Sequence, residues 1–101
     1  MERLVIVRYQ AKPERAAENE ALSAKVFEEL DARKPEGIMY SVFRNGDEFI
    51  HVLINTRAAD SSPVVGLPAF QSYMQSVAER TNGEIHQERL DLKLLHGYGL
   101  K

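Results

Sequence analysis

The sequence predicts an α+β domain whose elements follow the order β-α-β-β-α-β, with a four-stranded antiparallel sheet and two helices on one face. Three observations lead to this prediction. The chain has 101 residues, which is enough for one hydrophobic core and too few for two ordinary domains. The dipeptide Asn45-Gly46 separates two strand-like segments, and apolar residues recur at helical spacing after Pro13 and again after Pro68. We therefore expect residues 1–101 to form a single domain.

The first strand and the first helix are predicted from β-branched residues and from a proline. Arg3 to Gln10 is rich in β-branched and aromatic side chains, which suit a pleated, half-buried surface. Pro13 stands at a typical first helical position, because its missing N–H needs no partner there. Residues at spacings of three and four then form the inner stripe of the helix: Ala16, Asn19, Leu22, Val26, Phe27 and Leu30. Pro35 and Gly37 end this helix.

The middle of the chain predicts a tight β-hairpin. Two strand-like segments, Gly37 to Arg44 and Asp47 to Asn55, are joined by Asn45-Gly46. These two residue types tolerate the positive φ angles of a type I′ turn. A two-residue turn at this position places Tyr40 directly opposite His51, so their side chains are expected on the same face of the sheet.

The second half of the chain predicts a loop, a helix and a last strand. Between Arg57 and Gly66 the sequence has no regular period, so we expect a loop that either closes over a ligand or only connects two elements. Pro68 begins the second helix and Asn82-Gly83 ends it. The apolar stripe of this helix is predicted to consist of Phe70, Tyr73, Met74 and Val77. Alternating leucines predict a final strand from Glu84 to about Tyr98.

The predicted sheet is apolar on both faces, which favours a homodimer. Strand-crossover-strand units are right-handed almost without exception, so both helices cover the same face. The other face carries apolar side chains such as those of Phe43, Ile50 and Val52. Leaving several large apolar side chains in water forgoes roughly 1.5–3 kcal/mol each. We therefore expect two copies to pack sheet against sheet as an α+β barrel; the alternative is a monomer whose C-terminal tail folds over this face.

The composition excludes several classes of function. Lys and Arg number 13 and Asp and Glu number 15, without a long block of either sign, so no nucleic-acid or anionic-membrane surface is expected. The chain has no cysteine, which rules out disulfides and thiolate ligands. No segment has the pattern of a signal peptide or a membrane span, and we expect a cytoplasmic protein. His86 and His96 would lie roughly 33 Å apart on an extended strand, so no metal site is expected.

Three short segments resemble one known superfamily. They are Lys12-Pro13 after the first strand, Pro35-Glu36-Gly37 before the hairpin, and Leu67-Pro68-Ala69-Phe70-Gln71 at the start of the second helix. Their order, together with the size of the chain, resembles the dimeric α+β barrel proteins of the antibiotic biosynthesis monooxygenase superfamily. The resemblance implies a ferredoxin-like protomer that dimerises through its sheet, with a pocket between the sheet and the helices.

The same resemblance implies an activity. Members of the superfamily include cofactor-independent oxygenases of phenolic or quinol substrates, haem-degrading enzymes and proteins without known activity. The haem-degrading members carry a Trp late in the third strand and a His on the second helix. Here the third strand ends in Leu53-Ile54-Asn55, the second helix has no His, and the chain has no Trp. We therefore expect no haem and no other cofactor, and a monooxygenase-like activity on a small aromatic, quinol or polyketide-like molecule.

Tyr40 and His51 are the candidate catalytic pair, because the hairpin places a phenol beside an imidazole in an apolar patch. His titrates nearest neutral pH, so His51 is a candidate base for a phenolic proton, with Tyr40 and Asn55 orienting the substrate oxygens. The candidate substrate-binding residues are Phe49, Phe70, Tyr73 and Met74. The alternative is a polar pair that satisfies itself inside a packed core, with the aromatic stripe as part of that core.

Two other functions fit the same residues. A non-catalytic homodimer that binds a small apolar ligand, or that serves only as a structural partner, would have a closed and well-packed space around Tyr40 and His51. An isomerase or cyclase would need the same base but would not consume oxygen. The sequence contains no phosphate-binding glycine loop, nucleophile elbow or HExxH motif, so those enzyme classes are set aside.

Overall fold

The computed structural model describes residues 2–56, 64, 66–92, 95, 96 and 98. The strands are β1 (Glu2–Gln10), β2 (Ile38–Asn45), β3 (Glu48–Asn55) and β4 (His86–Leu92), and the helices are α1 (Ala16–Arg33) and α2 (Pro68–Arg80). The four strands form one antiparallel sheet in the order β2-β3-β1-β4, which is the ferredoxin-like arrangement. The predicted α+β fold class is confirmed.

Helix α1 has the predicted inner stripe, but it begins at Ala16 rather than at the predicted Pro13. A short 3₁₀ turn, Pro13–Arg15, leads into it. It ends where Lys34 adopts a left-handed conformation, with φ of 47°, and donates its backbone N–H to the carbonyl of Leu30. The fully buried part of the stripe consists of Ala16, Asn19 and Val26.

Both helices pack on the same face of the sheet, as the handedness of the crossovers predicts. In β1 and β3 the odd-numbered residues point to the helices, so Tyr9 pairs with Phe49 and Val7 pairs with His51. Tyr9 and Phe49 are buried, and their rings stack with centroids 5.9 Å apart. The buried apolar cluster on this face consists of Tyr9, Ala11, Ala16, Val26, Phe49, Leu67, Tyr73 and Val77.

The predicted hairpin forms, but its turn lies one residue further along the chain. Asn45 pairs with Glu48, so the two turn residues are Gly46 and Asp47. Of these two, Gly46 has the positive φ, at 62°. Glycine at the first central position is the preference of a type II′ turn, so the predicted type I′ turn over Asn45-Gly46 is wrong.

The new turn position changes the pairing of the two strands. Tyr40 lies opposite Leu53, and His51 lies opposite Val42, so the predicted direct pairing of Tyr40 with His51 is wrong. The side-chain period of a strand is two, and the pairing has moved by two residues. Each side chain therefore stays on its predicted face, and Tyr40 and His51 are diagonal neighbours rather than direct partners.

Helix α2 buries a different stripe from the predicted one. Tyr73 and Val77 are buried as predicted, whereas Met74 is 42% exposed and the stripe continues to Arg80, which has no exposed surface. The predicted place of Met74 in the stripe is therefore wrong. Neither α1 nor α2, the helices of the described residues, is long and apolar enough to cross a membrane.

The predicted lid loop and the end of the chain are described only in part. Of the loop from Arg57 to Gly66, the described residues include only Val64 and Gly66, so its proposed role as a lid lies outside them. Strand β4 ends at Leu92. His96 and Tyr98 are exposed and lie outside any strand, so the prediction of a strand as far as Tyr98 is wrong.

The face of the sheet that turns away from the helices is largely apolar. We call it the open face. Phe43 on this face is 48% exposed, and Leu90 of β4 is 42% exposed. The other apolar residues that share the face are Leu4, Ile6, Met39, Ile50, Val52 and Ile54.

Candidate functional site

Five hydrogen-bonding side chains lie together inside the core, between the sheet and the two helices. They are Tyr9 of β1, His51 of β3, Asn19 of α1, and Tyr73 and Arg80 of α2, and all five are buried. Tyr9 and His51 share a face because β1 and β3 are paired in register. Tyr73 and Arg80 share a side of α2 because they are seven residues, or about two turns, apart. We refer to these five residues as the buried polar cluster.

Tyr40 connects the buried polar cluster to the surface. Its hydroxyl is hydrogen-bonded to Nδ1 of His51 at 2.7 Å. Its ring stacks on Phe27 of α1 with centroids 5.0 Å apart, and the side chain is half-buried. Tyr40 and His51 thus meet as the sequence predicts, although they meet diagonally rather than from directly opposite positions.

Two tyrosine hydroxyls meet on the other side of the His51 ring. The hydroxyl of Tyr9 lies 3.0 Å from Nε2 of His51, and the hydroxyl of Tyr73 lies 3.3 Å from the same nitrogen. These two hydroxyls are also hydrogen-bonded to each other. The side-chain nitrogen of Asn19 donates to both oxygens, at 3.0 Å to Tyr9 and 2.9 Å to Tyr73. The space beside Nε2 is therefore filled by protein.

Arg80 lies at the end of the buried polar cluster that is furthest from Tyr40, and it donates hydrogen bonds to Asn19 and to α2. Its Nε donates to Oδ1 of Asn19 at 2.8 Å, and its Nη2 donates to the backbone carbonyl of Tyr73 at 2.9 Å. Its Nη1 donates to the hydroxyl of Ser76 at 2.5 Å, and the guanidinium lies 4.9 Å from the centre of the Tyr73 ring. Within the described part of the chain, no carboxylate forms an ion pair with Arg80. Neutral acceptors and an aromatic face therefore compensate this buried charge.

Burial keeps the imidazole and the phenols of this region neutral. It lowers the pKa of His51 to about 4, because the imidazolium would lose its hydration. It raises the pKa of Tyr40 and of Tyr73 far above the ordinary value of a phenol. Burial also raises the pKa of Tyr9, although hydrogen bonds from Tyr73 and Asn19 and the charge of Arg80 oppose the rise. At neutral pH, the imidazole and the three phenols are all uncharged.

A groove of about 580 Å³ lies outside Tyr40, between α1 and the edge strand β2. This volume is within the range of small-molecule sites. The aromatic residues that line the groove are Phe27, Tyr40 and Phe49 on the helix side of the sheet, and Phe43, whose side chain lies on the open face. Its polar lining includes Glu20 and Arg44, whose side chains form an ion pair at 3.0 Å. The groove can therefore hold an aromatic ring, with polar groups at its border.

The structure brings some of the predicted site residues to this groove and leaves others elsewhere. Tyr40 and Phe49 line it, and His51 lies behind Tyr40 without being part of the lining. Four predicted residues are also not part of the lining: Asn55, Phe70, Tyr73 and Met74. Asn55 is buried at the end of β3, and Met74 is exposed on α2. Among the described residues, no group of three metal-binding side chains comes together.

Sequence reasoning missed three members of the buried polar cluster. Asn19 was the polar residue in the inner stripe of the first helix, and a buried amide in such a stripe usually has polar partners. Tyr9 has the same strand parity as Val7, which faces the helices. Arg80 continues the helical spacing of Tyr73 and Val77. Arginine is rarely fully buried, so this spacing did not lead to a prediction that Arg80 is buried.

Comparison of the sequence with known proteins gives no family. No protein-family model matches the chain, and no curated protein matches it. Comparison of the structure, in contrast, finds many similar folds.

Three solved structures illustrate the likeness. Rv0793 from Mycobacterium tuberculosis superimposes with a TM-score of 0.78 at 17% identity, over 96% of this chain and 100% of that one. A provisionally named antibiotic biosynthesis monooxygenase from Caulobacter crescentus CB15 gives 0.76 at 18% identity, over 92% and 91%. A variant of SnoaB, a cofactor-independent oxygenase from Streptomyces nogalater, gives 0.64 at 15% identity, over 93% and 95%. The predicted resemblance to the antibiotic biosynthesis monooxygenase superfamily is thus confirmed at the level of the fold.

Proposed function

We propose that the protein is a cofactor-independent oxygenase of a small aromatic or quinol-like molecule that binds in the groove. One observation carries this proposal. Tyr40 lines an aromatic groove, and its hydroxyl is hydrogen-bonded to the buried imidazole of His51 at 2.7 Å. A proton-exchanging group thus meets a space that suits a ring. The fold shared with SnoaB supports the reaction class by analogy.

The proposed reaction inserts one oxygen atom of O₂ into an activated CH₂ group beside a phenolic or enolic oxygen. The CH₂ group becomes a ketone, and the second oxygen atom leaves as water. The substrate carbon supplies all four electrons that reduce O₂, so no external reductant is needed. The step that the protein must assist is formation of the electron-rich substrate anion: the substrate gives its proton to water in the open groove, and the oxygen that keeps the negative charge needs a hydrogen-bonding partner.

The groove assigns different roles to the predicted residues. Tyr40 lines the groove and contacts the substrate oxygen through its hydroxyl, while Phe27, which stacks on Tyr40, flanks the ring. His51 does not line the groove, so it acts through Tyr40 as a positioning residue rather than as a base in contact with substrate. The pKa of about 4 also makes His51 a poor base for a phenolic proton.

Oxygen consumption tests this proposal directly. Purified protein is expected to accelerate O₂ uptake with at least one member of a panel of anthrones and quinols, with one O₂ consumed per ketone formed. The measurement combines an oxygen electrode with mass spectrometry of the product under ¹⁸O₂, and heat-inactivated protein is the control. The proposal fails if no member of the panel is turned over faster than in the control.

The packing around His51 favours a second candidate, a non-catalytic protein that binds a small apolar ligand. Tyr9 and Tyr73 fill the space beside Nε2 of His51, as that alternative expects. Tyr40, however, borders an open groove, which the alternative does not expect. Binding of a panel member without turnover would support this second candidate, and turnover without O₂ uptake would indicate an isomerase or cyclase.

The open face supports a homodimer as the working form of the protein. Its apolar residues run across all four strands, and Phe43 and Leu90 are the most exposed of them. A continuous apolar surface of this kind on a soluble domain is typical of an interface. The same face of a second protomer, related by a two-fold axis, would bury this apolar surface by stacking one sheet on the other.

Replacing Val52 by glutamate is expected to separate the two copies. Val52 lies at the centre of the open face, between Ile6 and Ser41 on the neighbouring strands. Two carboxylates buried against each other would cost far more than the interface gains from one valine. Sedimentation equilibrium should give twice the 11.5 kDa of one chain for the wild type and 11.5 kDa for Val52→Glu.

The matched control for this prediction is Ala17→Glu, at an exposed position of α1. It adds the same charge away from the open face and should keep the mass of two chains. A wild type with the mass of one chain at micromolar concentration would contradict the proposed dimer.

A further inference from the structure

Arg80 fixes the orientation of the Asn19 amide. A guanidinium only donates hydrogen bonds, so the atom of Asn19 that lies 2.8 Å from Nε of Arg80 is the carbonyl oxygen, Oδ1. The NH₂ group then faces Tyr9 and Tyr73 and donates to both hydroxyl oxygens. Asn19 therefore offers only donors to the two tyrosines and cannot accept a proton from either of them.

This orientation decides which nitrogen of His51 carries the proton. If Nε2 carried it, Nε2 would donate to Tyr9, Tyr9 would donate to Tyr73, and the hydroxyl hydrogen of Tyr73 would have no acceptor among the described residues. A buried donor without an acceptor is costly. If Nε2 carries no proton, Tyr73 donates to Tyr9 and Tyr9 donates to Nε2, so that both hydroxyl hydrogens have an acceptor. The proton of His51 then sits on Nδ1.

We propose that Arg80, acting through Asn19, is a positioning residue that holds His51 as its Nδ1–H tautomer and thereby turns the hydroxyl hydrogen of Tyr40 toward the groove. Nδ1–H donates to the oxygen of Tyr40 across 2.7 Å, so the hydroxyl of Tyr40 donates elsewhere. The groove, which Tyr40 lines, receives this donor. The groove therefore selects ligands that present a carbonyl or phenolate oxygen to the hydroxyl of Tyr40.

The protonation states of the groups support this assignment. Burial lowers the pKa of His51 to about 4, so at neutral pH the ring carries one proton and has a defined tautomer. Burial raises the pKa values of Tyr9, Tyr40 and Tyr73, so each phenol keeps its proton. The preference for an acceptor oxygen rests on the proposed function of the groove, whereas the tautomer of His51 does not.

The Asn19→Asp variant tests the proton order. An aspartate has acceptor oxygens only, so one oxygen binds Arg80 and the other accepts the hydroxyl of Tyr73. Tyr9 then donates to Tyr73, Nε2 of His51 becomes the protonated nitrogen, and Nδ1 accepts from Tyr40. Long-range ¹H–¹⁵N correlation spectra of uniformly labelled protein at pH 7 distinguish the two tautomers, because protonated and bare ring nitrogens have different ¹⁵N shifts.

The expected result is a protonated Nδ1 in the wild type and a protonated Nε2 in Asn19→Asp. The exposed control Asn82→Asp should keep the wild-type spectrum of His51. Arg80→Met frees the Asn19 amide to turn and should also protonate Nε2, while the exposed control Arg33→Met should not. A protonated Nε2 in the wild type, or an unchanged tautomer in Asn19→Asp, would overturn the proposal, and Asn19→Asp alone decides if Arg80→Met does not fold.

Binding of 1,4-naphthoquinone tests the consequence for the groove. This probe has acceptor oxygens and no donor, so we expect Asn19→Asp to raise its dissociation constant about tenfold, which is the effect of one hydrogen bond. An unchanged dissociation constant despite a switched tautomer would overturn the assignment of the Tyr40 donor to the groove. A switched tautomer in a protein that consumes no oxygen would leave the proton order established and would reject only the oxygenase.

Discussion

Replacing Tyr40 by phenylalanine is expected to lower kcat for oxygen uptake about 100-fold, because positioned proton-exchanging groups contribute effects of this order. The hydroxyl of Tyr40 is the group that joins the groove to His51. Phenylalanine keeps the ring that stacks on Phe27, so the groove should keep its shape and KM should change little. The measurement is steady-state oxygen uptake with the substrate found in the panel.

A matched control and a double variant make this prediction specific. Tyr98→Phe removes the same hydroxyl from a fully exposed tyrosine and should leave kcat unchanged. If His51 acts through Tyr40, the double variant Tyr40→Phe with His51→Gln should be no slower than Tyr40→Phe alone. Additive losses in the double variant would show that His51 acts on the substrate independently, and an active Tyr40→Phe variant would remove Tyr40 from the mechanism.

The fold could be predicted because its signals are local. The helix starts depend on prolines that need no N–H partner, and the hairpin depends on residues that accept positive φ. The register of the hairpin could not be predicted, because Asn45-Gly46 and Gly46-Asp47 both satisfy a two-residue turn. The choice between them depends on how β3 pairs with β1, which no local pattern contains. The predicted face of each side chain was nevertheless correct, because the pairing of β2 with β3 differs from the predicted pairing by two residues.

Of the site, only the contacts that depend on which side chains share a face of the sheet could be predicted. Parity brought Tyr40 and His51 to one face, and the structure shows them in contact. The contacts of His51 with Tyr73, and of Asn19 with Arg80, depend on how α2 lies over the sheet and beside α1. A sequence pattern defines a helix face but not the angle at which the helix crosses its neighbours. The position of the groove relative to His51 depends on the same packing.

Acidification is expected to destabilise the folded protein through His51. Burial lowers the pKa of His51 to about 4 in the folded state, while the unfolded chain has the ordinary histidine value of 6.5. Between these two values the unfolded chain binds the extra proton, so folding becomes less favourable as the pH falls. The contribution of His51 to stability is complete above pH 6.5 and is lost as the pH approaches 4. It amounts to about 3 kcal/mol.

The groups around His51 do not alter the direction of this pH dependence, in which stability falls as the pH falls. Tyr9, Tyr40 and Tyr73, from three different elements, have raised pKa values and stay neutral over this range. Arg80 of α2 contributes a constant charge, and α1 contributes the neutral amide of Asn19. The pH dependence of this buried region between pH 4 and 7 therefore belongs to the imidazole.

Urea unfolding at pH 7 and at pH 4, at one fixed protein concentration, measures the effect. His51→Gln keeps hydrogen-bonding capacity without a group that titrates in this range, so its loss of stability on acidification should be about 3 kcal/mol smaller than that of the wild type. The exposed control His96→Gln should lose as much stability as the wild type, because both retain the buried imidazole and the same carboxylates. Equal acid sensitivity of the wild type and His51→Gln would mean that His51 is not held neutral by burial, and the tautomer assigned to it would lose its basis.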